Sequence, residues 1–270
     1  MSRISQEFAS RPEVDDSLSL LPLDAAFEPF TLPSSEQPRI SIVIPVYGKL
    51  EYTLACLRSI VANPPTDAFE VIVVDDASPD DSVDTLSQVS GLRILRNASN
   101  LGFVGSCNAG AAASHGEFLI FLNNDTQVLP DWSEELLRCF ELRADCGIAG
   151  SQLVYPDGRL QEAGAWVFAD ASAWNIGRFD SRSDPAVRYA RKVDYVSGAS
   201  LAIRRTVFTE LGGFDLRFAP GYYEDTDLAF AARAAGYSVW YVPTSVVVHS
   251  EGISSNGSAQ TGMKRFQAIN

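Results

Sequence analysis

From Ile40 the chain alternates short, fully apolar runs with stretches whose apolar positions recur at helical spacing. Ile40 to Val46 (ISIVIPV) is apolar and β-branched almost throughout, and in Tyr52 to Ala62 the residues Leu54, Leu57, Ile60 and Val61 fall on one helical face. Phe69 to Val74 (FEVIVV) predicts a second strand, Leu92 to Leu95 a third, Val104 to Ser114 a small-residue helix, and Phe118 to Leu122 (FLIFL) a fourth strand. Pro130 suits the first turn of another helix, where its missing N–H costs nothing and its φ is already helical. Strands apolar on both faces and separated by helices have no wet side. They predict an α/β domain, a Rossmann-like, mainly parallel sheet with helices on both faces.

After Ile148 to Val154 the rhythm changes. Tyr155-Pro156-Asp157-Gly158 predicts a turn, followed by strand-like Val193 to Ile203, the pair Gly212-Gly213, a helix from Glu224 to Ala235 and strand-like Val239 to Val242. This half is expected to be mixed α+β on the same core. Residues 1–38 mix Ser, Pro, Asp and Glu with scattered apolar side chains such as Phe27 and Phe30, the pattern of a leader or linker that packs a few side chains on a domain over 39–270. The polar, helix-compatible stretch Thr261 to Asn270 carries no closing signal, so the chain reads as one domain of a longer protein as readily as a whole one.

Charge narrows the partners. Lys and Arg total 21 against 34 Asp and Glu, a formal net charge of -13, which excludes a broad electropositive face for nucleic acid. An anionic ligand would then need a metal ion or backbone amides. Cys56, Cys107, Cys139 and Cys146 form no CxxC pair and are expected as buried thiols. No run approaches the ~18 apolar residues of a membrane span, and the N-terminus lacks the basic-then-apolar order of a signal peptide. A cytoplasmic protein is expected.

In an open parallel sheet, ligands sit beyond the carboxyl ends of the strands. Those ends carry Pro45-Val46-Tyr47-Gly48, Asp75-Asp76-Ala77-Ser78 and Asn123-Asn124-Asp125-Thr126. Tyr47 can stack a planar base, and a carboxylate at Asp75 can accept the N3–H of uracil or thymine; Asp75 and Asp76 equally suit capping of a turn. Asn100-Leu101-Gly102 permits close approach of a nucleotide, or only a tight turn before a helix. Gly102 and Gly105 do not make GxGxxG after the first strand, and no GxxxxGK[ST] loop is present. Asp125 offers a hard oxygen for Mg²⁺ or Mn²⁺, with neutral oxygens from Asn123 and Asn124, though NNDT alone also suits a turn. Tyr222 to Leu228 places three acids at a helix start, which favours the helix dipole and also gives Asp225, beside two tyrosines, the setting of a general base. His249, ending an apolar run, can reach a metal or be structural, and His115 looks like a helix-end residue.

Taken in order, IPVY (Ile44 to Tyr47), VVDDAS (Val73 to Ser78), NLGFVGSCNAG (Asn100 to Gly110), FLNNDT (Phe121 to Thr126), SGASLAIRR (Ser197 to Arg205), GGFD (Gly212 to Asp215), YEDTDL (Tyr223 to Leu228) and VVVH (Val246 to His249) resemble glycosyltransferase family 2. The resemblance runs from about Ile40 to His249 and implies an inverting enzyme of GT-A fold, with a nucleotide-binding half over 39–126 and an acceptor-binding half over 127–270. By that likeness Pro45, Tyr47, Asp75, Asn100, Gly102, Asn123 and Asn124 would hold the nucleotide. Asp125 and His249 would hold Mn²⁺ or Mg²⁺, and Asp225 would be the catalytic base. Gly198, Ala199, Tyr223 and Glu224 would face the sugar and acceptor, with Trp166, Trp174 and Tyr222 as further candidates. Asn123 departs from the motif, which commonly has aspartate there. The likeness to bacterial O-antigen, capsule and rhamnan enzymes implies a UDP- or dTDP-sugar donor and a saccharide or lipid-linked saccharide acceptor, met through peripheral association at the inner membrane face. Two alternatives stand beside it. A sugar nucleotidyltransferase would need a glycine- and basic-rich loop where this chain has VYGK, and a non-catalytic nucleotide- or sugar-binding module of a larger synthase would not need Asp125, Asp225 and His249.

Overall fold

The computed structural model describes residues 18–170, 172–251 and 266. Its elements are β1 (Ile40–Val46), α1 (Leu50–Ala62), β2 (Phe69–Asp75), α2 (Ser82–Leu86), β3 (Leu92–Arg96), α3 (Gly102–Ala113), β4 (Phe118–Leu122), β5 (Thr126–Val128), α4 (Trp132–Leu142), β6 (Cys146–Val154), β7 (Leu160–Glu162), β8 (Ala165–Val167), β9 (Ala173–Asn175), β10 (Arg191–Lys192), β11 (Ser200–Arg204), α5 (Arg205–Glu210), α6 (Glu224–Ala234) and β12 (Ser238–His249). The main sheet runs β10-β12-β6-β11-β4-β1-β2-β3, with β5 on β12 and β7 on β6, and β8 and β9 form a separate ribbon. β3, β2, β1 and β4 are parallel neighbours, β11 lies antiparallel between β4 and β6, and β12 runs parallel to β6. The mainly parallel α/β domain expected from the pattern is what forms.

Alternation along β1 decides which helices cover which face. Ile40, Ile42 and Ile44 pack with Leu54, Leu57 and Ile60 of α1 and Trp132, Leu136 and Phe140 of α4. Val43 points the other way, with Ile72 and Val74, against Val104 and Cys107 of α3 and Leu228 and Ala232 of α6. Each such Leu or Ile contributes about 1.5–3 kcal/mol by leaving water. Gly110 lets α3 lie close, since a Cβ there would sit 2.4 Å from Val43 Cγ1. All four cysteines are free and buried. Among the described residues no helix is long and apolar enough to cross a membrane. Residues of the 18–38 segment lie on the domain: Leu32 is buried, Phe27 and Phe30 pack on the α1 side, and Thr31 bridges Ser90. Residues 1–17 and most of the expected C-terminal helical stretch fall outside the described residues.

Three local expectations change. Pro130 stands ahead of α4, because Asp131 at φ 62 interrupts the helical path and the helix starts at Trp132. Of the single strand expected over 193–203 only the end from Ser200 forms one, as β11, and residues 193–199 cross to it from β10 outside any strand. The last strand is longer than expected, Ser238–His249 rather than 239–242, with a register shift between Val242 and Val246 around Pro243, which has no N–H for the ladder. That extension carries His249 to the carboxyl edge of the sheet, opposite Thr126 of β5.

Candidate active site

The carboxyl ends of β1 and β2 open on one edge. Pro45 is half-buried, Tyr47 is 48% exposed, and Gly48 N donates to Ser78 Oγ at 2.8 Å. Asp75 divides its two oxygens. Oδ1 accepts from Ser78 N at 3.2 Å and closes the turn, while Oδ2 is buried with no hydrogen-bond partner, although Arg96 Nε lies 3.3 Å away as an ion pair. A buried acceptor left open in this way is costly unless a ligand completes it. Asp76 builds the neighbouring loop: it accepts from Asn97 Nδ2 (2.8 Å), Leu101 N (2.7 Å) and Gly102 N (2.8 Å). Asn100 is exposed, and its Oδ1 also accepts from Gly102 N at 3.2 Å. Gly102 has φ +73, and a Cβ on it would stand 2.3 Å from Pro220 Cβ. The first amides of α3 are thus engaged by Asp76, Asn100 and, through Val104 N at 3.3 Å, the Pro220 carbonyl.

The β5–β12 pairing brings distant residues together. His249 Nε2 lies 3.2 Å from Asp125 Oδ1 and 3.4 Å from Asn123 Nδ2, and its Nδ1 is 2.9 Å from Gln161 Oε1. A carbonyl oxygen at Nδ1 places the ring proton there and leaves the Nε2 lone pair on the Asp125 side, the arrangement usual for a ligating histidine. Burial works against the charged imidazole, but the Asp125 carboxylate, together with Glu251 and Glu162, raises the His249 pKa on balance. A divalent cation would take the place of that second ring proton. Asn123 Oδ1 is buried without a partner beside them. Among the described residues no group of three or more His, Cys, Asp or Glu gathers, so the ion would be completed by neutral oxygens and ligand phosphates, as hard Mg²⁺-type ions allow. The donor set fits such an ion. Asn124 is placed differently: it is buried, and its Nδ2 donates to Thr53 Oγ1 on α1 at 3.1 Å.

Tyr222 and Tyr223 turn into α6 through left-handed φ values of 76 and 72, a conformation that side-chain-bearing residues adopt only under constraint. Asp225 follows, its Oδ2 accepting from Gly198 N at 3.0 Å and its Oδ1 from Thr226 N at 2.7 Å. Burial pushes its carboxyl above the usual range, against the pull of those amides. Glu224 is buried with Oε2 unpartnered, and burial together with Asp225 pushes it up as well. Tyr223 is exposed. Gly198 leaves room for its neighbours, since a Cβ would meet Phe103 Cζ at 3.3 Å and Asp225 Cβ at 3.7 Å. Ala199 O accepts from Asn123 N at 3.0 Å, so the strap Ser197 to Ala199 joins Asp225 to the Asn123 side of the site. Trp166 and Trp174 pair across the β8–β9 ribbon and are 47% and 66% exposed.

Two residues of the site were not anticipated. Glu162 is 2% exposed and accepts from Ser197 N at 2.8 Å, and burial pushes its carboxyl up to about 7. Gln161, beside it, is the partner of His249 Nδ1. Their only trace in the sequence is a polar pair between Leu160 and Ala163, both fully buried.

Known proteins resemble this chain in sequence and in fold. An uncharacterised protein of Sinorhizobium fredii is 32% identical over 86% of this chain and 26% of its own length, and an O-antigen biosynthesis protein of Myxococcus xanthus is 29% identical over 82% and 18%. The chain therefore spans about a quarter or less of those relatives. GalNAc-T7 with UDP, GalNAc and Mn²⁺ superposes with a TM-score of 0.64 at 18% identity, covering 80% of this chain and 44% of that one. A Pyrobaculum calidifontis mannosyltransferase in complex with GDP-Man and Mn²⁺ gives 0.59 at 18%, covering 84% and 61%. These likenesses concern the fold, which is the GT-A fold. Asp225 and His249 lie beyond residues 41–212, where the pattern described as Glycosyl transferase family 2 matches, but that span holds every strand end of the site from Tyr47 to Asp125, the strap and Glu162; the chain belongs to that family.

Proposed function

We propose that this chain is the catalytic domain of a metal-dependent, inverting glycosyltransferase that moves a sugar from a UDP- or dTDP-sugar to a hydroxyl of a saccharide or lipid-linked saccharide. The observation that carries the reading is the strap, which ties a proton-accepting carboxylate, Asp225, to Asn123 and hence to the Asp125–His249 pair. One end of such a site can take a proton from an acceptor while the other holds a diphosphate.

Asp75 Oδ2, buried and unpartnered, would accept the N3–H of a uracil or thymine stacked on Tyr47. Asp125 and His249, with Asn123 Oδ1 beside them, would hold Mn²⁺ or Mg²⁺, which when bound supplies Lewis-acid stabilisation to the departing diphosphate. Asp225 would remove the proton of the attacking hydroxyl, and a carboxyl raised by burial is a better base near neutral pH than an ordinary aspartate. Attack from the side opposite the diphosphate inverts the anomeric carbon. Tyr223, Gly198 and Ala199 would border the acceptor side, as would Glu224, whose carboxyl is raised by burial and by the neighbouring Asp225. The Mn²⁺-bound nucleotide and nucleotide-sugar complexes of the structural neighbours and the O-antigen relative support this reading, as does the absence of a basic phosphate loop after β1. Assembly of a bacterial surface polysaccharide at the cytoplasmic face of a membrane is the proposed setting.

The test is a donor screen by nucleotide release over UDP-, dTDP-, GDP- and ADP-sugars with alkyl glycosides as acceptors, with and without Mn²⁺. Mn²⁺-dependent release from a UDP- or dTDP-sugar is expected. Equal calorimetric affinity for ADP and UDP would remove the base assignment, and metal-independent release would remove the role of Asp125 and His249.

A further inference from the structure

The strap Ser197 to Ala199 belongs to no strand, yet both proposed halves of the site hang on it. Gly198 N holds Asp225, and Ala199 O holds Asn123 N. Ser197 N in turn donates to Glu162 Oε1 at 2.8 Å, and Ser197 O accepts from Ser200 N of β11 at 3.3 Å. Glu162 sits in β7, a three-residue strand paired with β6, where Glu162 faces Leu153 and the register is irregular between Leu153 and Val154. A buried carboxyl there is unfavourable: burial raises its pKa, and the nearby Asp225 carboxylate raises it further. An apolar residue between Leu160 and Ala163 would be the more stable choice for packing alone. The preceding residue, Gln161, holds His249 Nδ1 at 2.9 Å. Neighbouring residues of a strand send their side chains to opposite faces, so one dipeptide reaches both the strap and the histidine.

We propose that the Gln161–Glu162 pair of β7 is the positioning element of this site, Glu162 fixing the strap that aims Asp225 and Gln161 fixing the His249 ring. The inference rests on the glycosyltransferase reading above. Its signature is a split between neighbours. The Ala199 end of the strap adjoins the β11–β4 pairing, where Ser200 lies opposite Leu122, so loss of the Glu162 bond at Ser197 leaves the Asn123 side in place and misaims the base, which lowers kcat. Loss of the Gln161 bond frees the imidazole and weakens metal-dependent nucleotide binding, as removal of such outer partners does by about 10–100-fold. Misplacement of a reacting group by about 1 Å costs up to about 10²-fold in rate.

The experiment compares Glu162→Met, which keeps the volume without an acceptor, with Glu162→Gln, which keeps an acceptor oxygen for Ser197 N. Rates are measured with the UDP- or dTDP-sugar selected by the release screen and alkyl glycosides, and UDP affinity with Mn²⁺ by calorimetry. Glu162→Met is expected to lower kcat by about tenfold or more with donor KM within about threefold. Glu162→Gln should restore most of the rate, and Gln161→Met should weaken Mn²⁺-dependent UDP binding about tenfold. Should the methionine variant not fold, Glu162→Leu carries the same expectation. A folded Glu162→Met or Glu162→Leu protein with wild-type kcat overturns the proposal, as does a Glu162→Gln protein as slow as either. Asp225→Asn run in parallel separates the two levels. If it is inactive while Glu162→Met is unimpaired, the positioning role alone fails; if it transfers normally, the base assignment fails and takes the positioning role with it.

Discussion

Asp75 and Asp76 at the end of β2 and Glu224 at the start of α6 are all buried, but they meet different surroundings. Asp76 accepts three hydrogen bonds from Asn97, Leu101 and Gly102, and Asp75 keeps one oxygen in the turn and one open. At α6, Glu224 has a buried oxygen with no partner and a second carboxyl, Asp225, as its neighbour, and both are pushed toward the protonated form. Backbone amides do not separate the two regions, since Asp76 and Asp225 each accept two. The difference is that Glu224 keeps an unpartnered oxygen next to a second carboxyl, and such a buried pair holds its protons more tightly and is suited to move them.

The largest effect is expected where that contrast carries chemistry. Asp225→Asn keeps the shape and removes the basic oxygen, so transfer should fall by at least about 10²-fold with donor affinity within a few-fold, measured by product formation with the selected donor and acceptor. Glu224→Gln should cost less; if it is the more damaging change, the base has been assigned to the wrong carboxyl. On the nucleotide side, Asp125→Asn should weaken Mn²⁺-dependent UDP binding by about tenfold or more while leaving metal-free UDP binding little changed, by calorimetry. Unaltered metal dependence would make the Asp125–His249 contact purely structural.

A third change tests how the two regions are locked together. Gly102→Ala forces a side chain into φ +73 and against Pro220, where a Cβ would lie 2.5 Å from the carbonyl oxygen. A loss of about 2 kcal/mol or more is expected, which lowers Tm by roughly 4–8 °C in a domain of this size. Calorimetric melting checks it, and an unchanged Tm would show that the contact between the α3 loop and the Pro220 segment yields freely.

The smallest effect follows the sign of the Glu162 shift. Its carboxyl is raised from 4.5 to about 7 by burial, so between those values the folded chain binds more protons than the unfolded one. Its stabilising contribution is full below about 4.5 and is lost as pH rises through about 7. Glu162→Gln should therefore flatten the fall of Tm across that window by a few degrees. A Tm profile that keeps the wild-type slope would place the charge elsewhere.

Much of the architecture was legible because a strand covered on both faces must be apolar along its length. Ile40–Val46 and Phe118–Leu122 form strands with the predicted limits, and the polar residues at their ends belong to the proposed site. Residues 193–199 misled for a related reason: Val193 and Val196 are buried like strand residues, but they pack from a crossing segment whose Ser197 and Gly198 amides go to carboxylates instead of a ladder. Glu162 and Gln161 gave no usable signal, since a short polar pair looks the same whether it faces water or the interior.

By itself the sequence determined the periodicities, hence the strands, the helices that cover them and the order of the strand-end residues, because those depend on neighbours within a few positions. Only the tertiary structure decided that His249 meets Asp125, that Asn124 turns to α1 while Asn123 stays at the site, and that Glu162, Ser197 and Asp225 form one chain of contacts. Each of these depends on the long-range pairing of β12 with β5 and β6 and of β11 with β4 and β6, and on which buried oxygens find an amide, quantities set by the packing of distant segments and by no local pattern.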